Sequence, residues 1–211
     1  MQNGRFLKNI TYSLLIFIPL IVTSILFFDR VITDFAYQNN LSKFLIFKWL
    51  TYIPEIIFYF AILIVIILSI KKVFNGKITK IFNQLYIFAV TIIVAVAIKD
   101  SLKIIFGRYW PATWVNNNPS WISNHAYGFH FFHTGSAYAS FPSGHSTIIF
   151  TAIAMLWTIY PKLRYLYVIV ALAVCVGLLG MCYHFLADII AGAVLGVLCG
   201  RISVKLSKKI N

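Results

Sequence analysis

Acidic residues are scarce in this 211-residue chain, which has five Asp and Glu residues against 18 Lys and Arg. Charged residues of both signs make up only 11% of the sequence, whereas a soluble domain carries about 25%. Such a chain has too few charges to cover a surface in water. Together with the 61% hydrophobic content, this excludes a disordered chain, a collagen-like chain and a soluble nucleic-acid-binding domain. The class that remains is a membrane protein with several spans.

Cysteine is also rare, and its spacing suggests no structural zinc site. The three cysteines lie in apolar runs with no CxxC or CxxH pattern, and we interpret them as buried thiols: Cys175, Cys182 and Cys199.

Six apolar segments predict an all-α bundle of six transmembrane helices in a single domain, residues 1–211. The segments are 10–28, 52–70, 81–98, 145–160, 165–182 and 184–204. The basic flank of the first segment resembles that of a signal peptide. Its apolar run is too long, however, and no cleavage site follows, so we expect it to be retained. Six spans place both termini on the same side of the membrane.

The flanking charges indicate the orientation of these spans. One side carries twelve basic residues and no acid: Arg5, Lys8, Lys71, Lys72, Lys77, Lys80, Lys162, Arg164, Arg201, Lys205, Lys208 and Lys209. The other side carries six bases and all five acids: Arg30, Lys43, Lys48, Lys99, Lys103, Arg108, Asp29, Asp34, Glu55, Asp100 and Asp188. The positive-inside rule assigns the first side, with both termini, to the cytoplasm.

Two long segments then face outward. Residues 29–51 mix aromatic and polar residues and could form an amphipathic helix at the interface. Residues 99–144 are rich in Trp, Asn, Gly and His, and long ordered loops are usually functional. All five histidines fall between positions 125 and 184, on this outer side.

The sharpest local pattern stands directly before the fourth span, where residues 141–146 read Phe-Pro-Ser-Gly-His-Ser. Ser143 is a good N-cap, and the N–H groups of Gly144 and the next residue would lie at a helix N-terminus, which binds phosphate well. His145 would lie at the mouth of that site as a proton donor. An ordinary N-cap beside an uninvolved histidine fits the same residues.

Two further patterns carry charge on the outer side. His184 and Asp188 have i, i+4 spacing, so a carboxylate could hold one imidazole nitrogen and leave the other free to attack. The pair could equally close a helix end. In residues 99–111, Lys103 and Arg108 suit a phosphate as a point charge and a bidentate fork, and Gly107 ends the helix. Snorkelling bases at a membrane boundary are the alternative.

Together these three patterns resemble the type 2 phosphatidic acid phosphatase superfamily of membrane lipid phosphatases. That family has a first motif of Lys, six residues and Arg-Pro, and a second motif of Pro-Ser-Gly-His. Its third motif is Ser-Arg, five residues, His, three residues and Asp. The resemblance covers residues 99–192. The second motif matches in full at residues 142–145, and the third matches at His184 and Asp188.

Two motif arginines are not matched. Counting from Lys103, the first-motif arginine falls on Trp110, although Pro111 is in place, and the third-motif Ser-Arg falls on Gly177 and Leu178. We expect Arg108 to replace one of them, with help from the helix-end amides. The loop could supply further groups, and Lys99, Trp110 and His133 are candidates for the pocket wall. Other loop candidates are His125, His130 and residues 116–118. Residues 127–133 fit a pocket mouth or an interfacial aromatic belt equally well.

The resemblance implies a phosphatase that cleaves a lipid phosphate ester or diphosphate at the outer face, without metal or other cofactor. In that reading His184 attacks phosphorus, Asp188 holds its ring and His145 protonates the leaving oxygen. Lys103, Arg108, Ser143 and Gly144 bind the phosphate. Undecaprenyl diphosphate, phosphatidylglycerol phosphate, phosphatidate and a lipid A phosphate all fit as substrates. The expected partners are that lipid and the surrounding membrane lipids, not nucleic acid.

Three alternatives stay open. A haloperoxidase shares the same cradle, but those enzymes are soluble. In a transporter or channel, Asp188, Glu55 and Lys99 would line the pathway. A non-catalytic lipid-binding relative fits the missing arginines. The abundance of Ile, Lys, Phe and Asn suggests an AT-rich genome and hence a bacterium. Together with the charge asymmetry, this predicts a protein of the bacterial inner membrane with the site facing the periplasm.

Overall fold

The computed structural model describes residues 2–76, 79–114 and 116–210, with side chains 2–7, 9–10, 75 and 208–210 left out of the description. Lys77, one of the bases used to orient the spans, lies outside the described residues, as do the side chains of Arg5, Lys208 and Lys209.

The described residues form helices joined by turns, and they contain isolated β-bridges but no strand. The all-α fold predicted from the apolar segments is therefore confirmed. The helices are α1 Gln2–Thr23, α2 Asp29–Gln38, α3 Leu45–Asn75, α4 Lys80–Phe106, α5 Trp121–Asn124, α6 Gly144–Ile159, α7 Arg164–Gly180 and α8 Leu186–Ile210.

Five helical stretches of the described chain are long and apolar enough to cross a membrane, which makes this a multi-pass membrane protein. They are Thr11–Gln38, Leu45–Phe74, Lys80–Phe106, Pro161–Gly180 and Leu186–Ser207. Helix α6 is also apolar but has 16 residues. At 1.5 Å per residue it spans about 24 Å, whereas the hydrocarbon core is about 30 Å thick. Six crossings therefore stay a prediction.

The first apolar helical stretch ends at Gln38, ten residues beyond its predicted end at position 28. A π-helical turn, Ser24–Phe28, joins α1 directly to α2. Asp29, Thr33 and Ala36 are buried, and their spacing places them on one face of α2 that packs into the bundle. Because this buried face includes polar residues, α2 does not appear in the sequence as an apolar run. Residues 29–51 are thus divided between α2, a short turn and the start of α3, and they form no separate interfacial helix.

Helices α6 and α8 pack against each other along a row of glycines on α8. A Cβ atom at Gly192 would lie 2.4 Å from the Ser143 carbonyl oxygen, and one at Gly196 would lie 2.5 Å from that of Thr147. Such close approach is typical of small residues at four-residue spacing in membrane helices. It brings the N-terminus of α6 directly beside the first turn of α8.

Apolar clusters hold the other helices around this pair. One joins α3, α4 and α6 and contains Ala61, Ala89, Ile92, Ile148 and Ala152. A second joins α6, α7 and α8 and contains Ile149, Val174, Leu178 and Ile189. These clusters hold the helices in the arrangement in which the ends of α4, α6 and α8 meet on one side of the bundle.

Candidate active site

His184 and Asp188 lie next to each other at the start of α8, although not as two positions of one helix. Helix α8 begins at Leu186, so His184 stands in the preceding loop. Asp188 lies in the first turn, where its Oδ2 accepts a hydrogen bond of 3.0 Å from the Phe185 amide. The same oxygen is 3.6 Å from His184 Nδ1. The carboxylate therefore caps the helix and faces the imidazole.

Asp188 is fully buried and has further partners besides the histidine. Its Oδ2 accepts a hydrogen bond from the Ser140 hydroxyl at 2.6 Å, and its Oδ1 accepts one from Arg108 Nη1 at 2.5 Å. These bonds restrict the carboxylate to one orientation, with an oxygen directed toward His184.

In the structure Arg108 binds two carboxylates, whereas the sequence predicts it as a phosphate ligand. Its side chain is 0% exposed, and its Nη2 lies 2.6 Å from Asp29 Oδ2 and 3.0 Å from the Tyr127 hydroxyl. The guanidinium carbon is 4.5 Å from the centre of the Phe185 ring. Burial alone would lower the pKa of Arg108, but the Asp188 and Asp29 carboxylates raise it above its ordinary value. Two carboxylates satisfy the bidentate fork here because both are buried beside it.

Asp29 connects the first helix to this network. Besides its ion pair with Arg108, it accepts a hydrogen bond of 2.9 Å from the Ala187 amide at the N-terminus of α8. Its side chain is 0% exposed. From the sequence, Asp29 is predicted only as a charge on the outer side. An acid directly after a long apolar run is the signal that could have marked it.

The turn after α4 holds Arg108 in place through its backbone. Gly107 ends α4 with a φ of +51°, and a Cβ there would lie 1.9 Å from the His130 carbonyl oxygen. The Arg108 amide donates to Tyr138 O at 2.8 Å, and its carbonyl oxygen accepts from the Ser140 amide at 3.1 Å. The predicted stop at Gly107 is confirmed, and only glycine fits it.

Lys103 and Trp110 stand on either side of this turn, and the Trp110 ring lies beside His184. The Lys103 ammonium lies 5.2 Å from the centre of the Trp110 ring. The Trp110 and His184 rings are 5.2 Å apart between centroids, and the indole N–H donates to Ser136 O at 2.7 Å. The position of the missing motif arginine is therefore occupied by an aromatic ring between a lysine and a histidine.

The N-terminus of α6 lies beside these residues. Ser143 is the N-cap, as predicted, because its hydroxyl accepts from the Ser146 amide at 3.3 Å. Its own amide donates to Asp188 O at 3.0 Å, which ties the two helix starts together. The amides of Gly144 and His145 belong to the first turn, where N–H groups have no partner within the helix. The Lys99 ammonium comes within 3.5 Å of the Cβ position of Gly144.

The two histidines of the second and third motifs face each other. The rings of His145 and His184 are 6.2 Å apart between centroids. His145 Nε2 lies 3.2 Å from Glu55 Oε1 on α3, a contact that the sequence does not predict. Lys99 pairs with Asp100. Asp188, Glu55 and Lys99, the charges considered for a transport pathway, therefore all have partners.

The other predicted pocket residues lie in the loop. His133 packs against Tyr138 and His130, with ring centroids 5.3 and 5.7 Å apart, and His130 packs on Tyr109 at 4.6 Å. His125 packs against Trp121. Asn118 accepts a hydrogen bond from the Trp114 amide. None of the contacts found for these loop histidines joins them to His184 or His145.

His184 has the electrostatics of a neutral nucleophile. Burial lowers its pKa to about 4, while the nearby negative charge of Asp188 opposes that shift. At neutral pH the imidazole is therefore uncharged and keeps a lone pair. Among the described residues, no three His, Cys, Asp or Glu side chains are grouped to hold a metal ion. The arrangement suits attack by a histidine on an electrophile held at the α6 N-terminus.

Comparison with known proteins agrees with the motifs. No curated protein matches the chain. A transmembrane PAP2-type phosphatidylglycerolphosphate phosphatase from Bacillus subtilis, known from a crystal structure, is 19% identical, with a TM-score of 0.40 over 90% of this chain and 97% of that one. The family model of the PAP2 superfamily matches residues 84–211, which is more than half of the sequence. The chain belongs to the PAP2 superfamily.

Proposed function

We propose that this protein is a membrane lipid phosphatase that hydrolyses a phosphate ester or diphosphate of a lipid at the outer face of the membrane. One observation carries the proposal. In a PAP2 chain, His184 lies between the buried carboxylate of Asp188 and the ring of His145, which stands at the N-terminus of α6. A nucleophile, its orienting group and a proton donor thus meet at one anion-binding helix end.

His184 is the proposed nucleophile. With Nδ1–H directed at Asp188, the lone pair of Nε2 attacks phosphorus and the bond from phosphorus to the lipid oxygen breaks. The ring becomes positively charged in the phosphohistidine. The carboxylate 3.6 Å away stabilises that charge, and its contact shortens in the complex.

His145 is the proposed acid and base. It protonates the departing lipid oxygen, a contribution of about 10²–10⁴-fold for general acid catalysis. The deprotonated ring then accepts a proton from water as the water oxygen attacks phosphorus, and the nitrogen–phosphorus bond breaks to give inorganic phosphate and free enzyme. Lys103 and the amides of Gly144 and His145 hold the equatorial oxygens, and Ser143 shapes that helix end from its buried cap position.

Arg108 takes a positioning role in this scheme instead of the phosphate contact predicted from the sequence. Its guanidinium fixes Asp188 from the side opposite His184, and Asp29 neutralises its remaining charge. With Arg108 committed to carboxylates, Lys103 is the principal cation for the phosphate, and Lys99 adds charge beside Gly144.

The direction of the helices supports the outer-face assignment. Lys71 and Lys72 lie at the end of α3 far from Glu55, and Lys80 begins α4 whereas Lys103 is near its end. The basic residues of the predicted cytoplasmic side are thus at the opposite end of the bundle from the histidines. We propose that α6 also crosses the bilayer, which places both termini in the cytoplasm.

A non-catalytic lipid-binding relative is the second candidate, and the burial of Arg108 favours it because a strong phosphate ligand is removed. Phosphate release decides between the two. The test measures inorganic phosphate released by purified protein in micelles from undecaprenyl diphosphate, phosphatidylglycerol phosphate, phosphatidate and a lipid A phosphate.

The His184→Ala variant should abolish release from whichever lipid is cleaved. The His125→Asn variant is the matched control, because asparagine tolerates the positive φ of that loop position; it should retain normal activity. Normal turnover by His184→Ala would refute the mechanism. Lipid binding by wild-type protein with no release from any of the four lipids would favour the second candidate.

A further inference from the structure

Glu55 is an acidic side chain that the proposed mechanism does not use. It lies on α3, outside the residues that match the family model. Its Oε1 is 3.2 Å from His145 Nε2, with side chains 47% and 23% exposed respectively. An acid in an apolar transmembrane helix is costly to retain unless it has a partner and a role.

We propose that Glu55 is a positioning residue for His145. The carboxylate accepts a hydrogen bond from Nε2–H, so that Nδ1 is the nitrogen that passes a proton to the leaving oxygen and later takes one from water. This inference rests on the function proposed above. It assigns to the second-motif histidine a carboxylate from outside the matched region.

The arrangement mirrors that of His184. Each histidine has one ring nitrogen beside a carboxylate, Nδ1 beside Asp188 and Nε2 beside Glu55. A carboxylate at one nitrogen fixes the tautomer and leaves the other nitrogen for chemistry. The two rings therefore work through opposite nitrogens, which allows them to face the same phosphate from different sides.

The surroundings of His145 explain why the acid needs this partner. The other charged or titratable groups that act on it are Lys99 and Lys103 on α4 and His184 before α8. Burial disfavours an imidazolium most, the two lysines add to that effect, and Glu55 is the carboxylate that opposes them. Without Glu55, His145 would lose its proton at a lower pH.

The backbone of α3 holds Glu55 in position. The neighbouring Pro54 is fully buried. Close to the start of α3, a Cβ at Gly177 of α7 would lie 2.8 Å from Leu50 Cβ, and one at Gly180 would lie 2.8 Å from the Phe47 ring. This close packing fixes the first turns of α3, so a half-exposed carboxylate is presented to His145 from a rigid helix.

The decisive experiment is the pH dependence of phosphate release by Glu55→Gln, which keeps the shape of the side chain and removes its charge. An opposite charge within about 4–6 Å shifts a titration by about 1–3 units, and partial exposure reduces the effect. We expect the alkaline limb of kcat to move about one unit toward lower pH, with kcat at the acid end and KM each within about twofold of wild type. Glu55→Asp should fall between the two.

Asp34→Asn is the matched control, since it removes the same charge from an acid that bonds the Trp121 indole and leaves His145 untouched; its profile should equal that of wild type. A uniform loss of activity by Glu55→Gln at every pH would show a merely structural role and overturn the proposal. So would an unchanged profile.

Direct titration of the His145 imidazole by NMR in micelles separates this inference from the proposed function. In Glu55→Gln the midpoint should move to lower pH even if no lipid is cleaved. If wild-type protein releases no phosphate while the midpoint moves, the function is wrong and the pairing stands. If His184→Ala abolishes release while neither the midpoint nor the kcat profile moves in Glu55→Gln, only the pairing is wrong.

Discussion

Replacing Arg108 with glutamine should destabilise the folded protein strongly, because the change leaves Asp29 and Asp188 buried without their cation. Both ion pairs have side chains that are 0% exposed, so screening by solvent does not weaken them. Removing one partner of a buried pair costs about 3–5 kcal/mol. We expect a loss within that range, since protonation of one carboxylate limits the cost of losing both pairs.

A second substitution should recover part of this loss. The wild-type cluster of Arg108, Asp29 and Asp188 carries one net negative charge, and Arg108→Gln raises this to two. Adding Asp29→Asn returns the net charge to one. The double variant should therefore be more stable than the sum of the single changes predicts, with a coupling energy of about 1–3 kcal/mol for residues in contact.

Denaturant unfolding in micelles measures all four forms of this cycle. Arg30→Gln is the matched control, because Arg30 is the exposed arginine next to Asp29 and, among the described residues, its polar and ring interactions are with Trp121, Tyr127 and a backbone carbonyl. Its loss should cost about 0–1 kcal/mol. Wild-type stability of Arg108→Gln, or strict additivity with Asp29→Asn, would refute the reasoning. If Arg108→Gln keeps wild-type stability but added phosphate no longer stabilises it against unfolding, Arg108 is a phosphate ligand instead.

Three further predictions concern the proposed nucleophile and the helix pair that positions it. Because burial lowers the pKa of His184 to about 4, the acid limb of kcat/KM should fall near that value and not near 6.5; a limb near 6.5 would contradict a buried neutral nucleophile. As pH falls, His184 binds a proton in the unfolded chain before it does so in the folded protein, so the free energy of unfolding should decline between pH 6.5 and about 4. His184→Gln should remove that part of the pH dependence of stability. Gly192→Ala should lower the free energy of unfolding by about 1–3 kcal/mol through overpacking, because the new Cβ would lie 2.4 Å from the Ser143 carbonyl oxygen. The same displacement should lower kcat. Unchanged unfolding and activity would show that α6 and α8 can separate freely.

Several features of the site were readable from the sequence because they depend on local chemistry. Ser143 caps a helix through its own hydroxyl, and Gly107 ends one through its positive φ. Each outcome depends on residues a few positions away. The same holds for the long apolar helices, whose length follows from the thickness of a bilayer. His184 and Asp188 are also close enough in sequence to meet, even though His184 proved to precede the helix.

The contacts that join distant segments were not readable in this way. Arg108 meets Asp29 across 79 positions, and His145 meets Glu55 across 90. The sequence identified Arg108 as a cation near the site but not its partners, and so it favoured phosphate. Nothing in the residues around Asp29 shows that a π-helical turn carries it into the bundle.

The sequence by itself determined that this chain is an all-α membrane protein of the PAP2 type, since apolar length, charge asymmetry and short motifs are local properties. Tertiary structure alone decided that Arg108 pairs with Asp29 and Asp188 and that His145 pairs with Glu55. The physical reason is that a buried charge requires a partner wherever the packing of helices brings one, and that packing depends on close helix contacts such as Gly192 against Ser143.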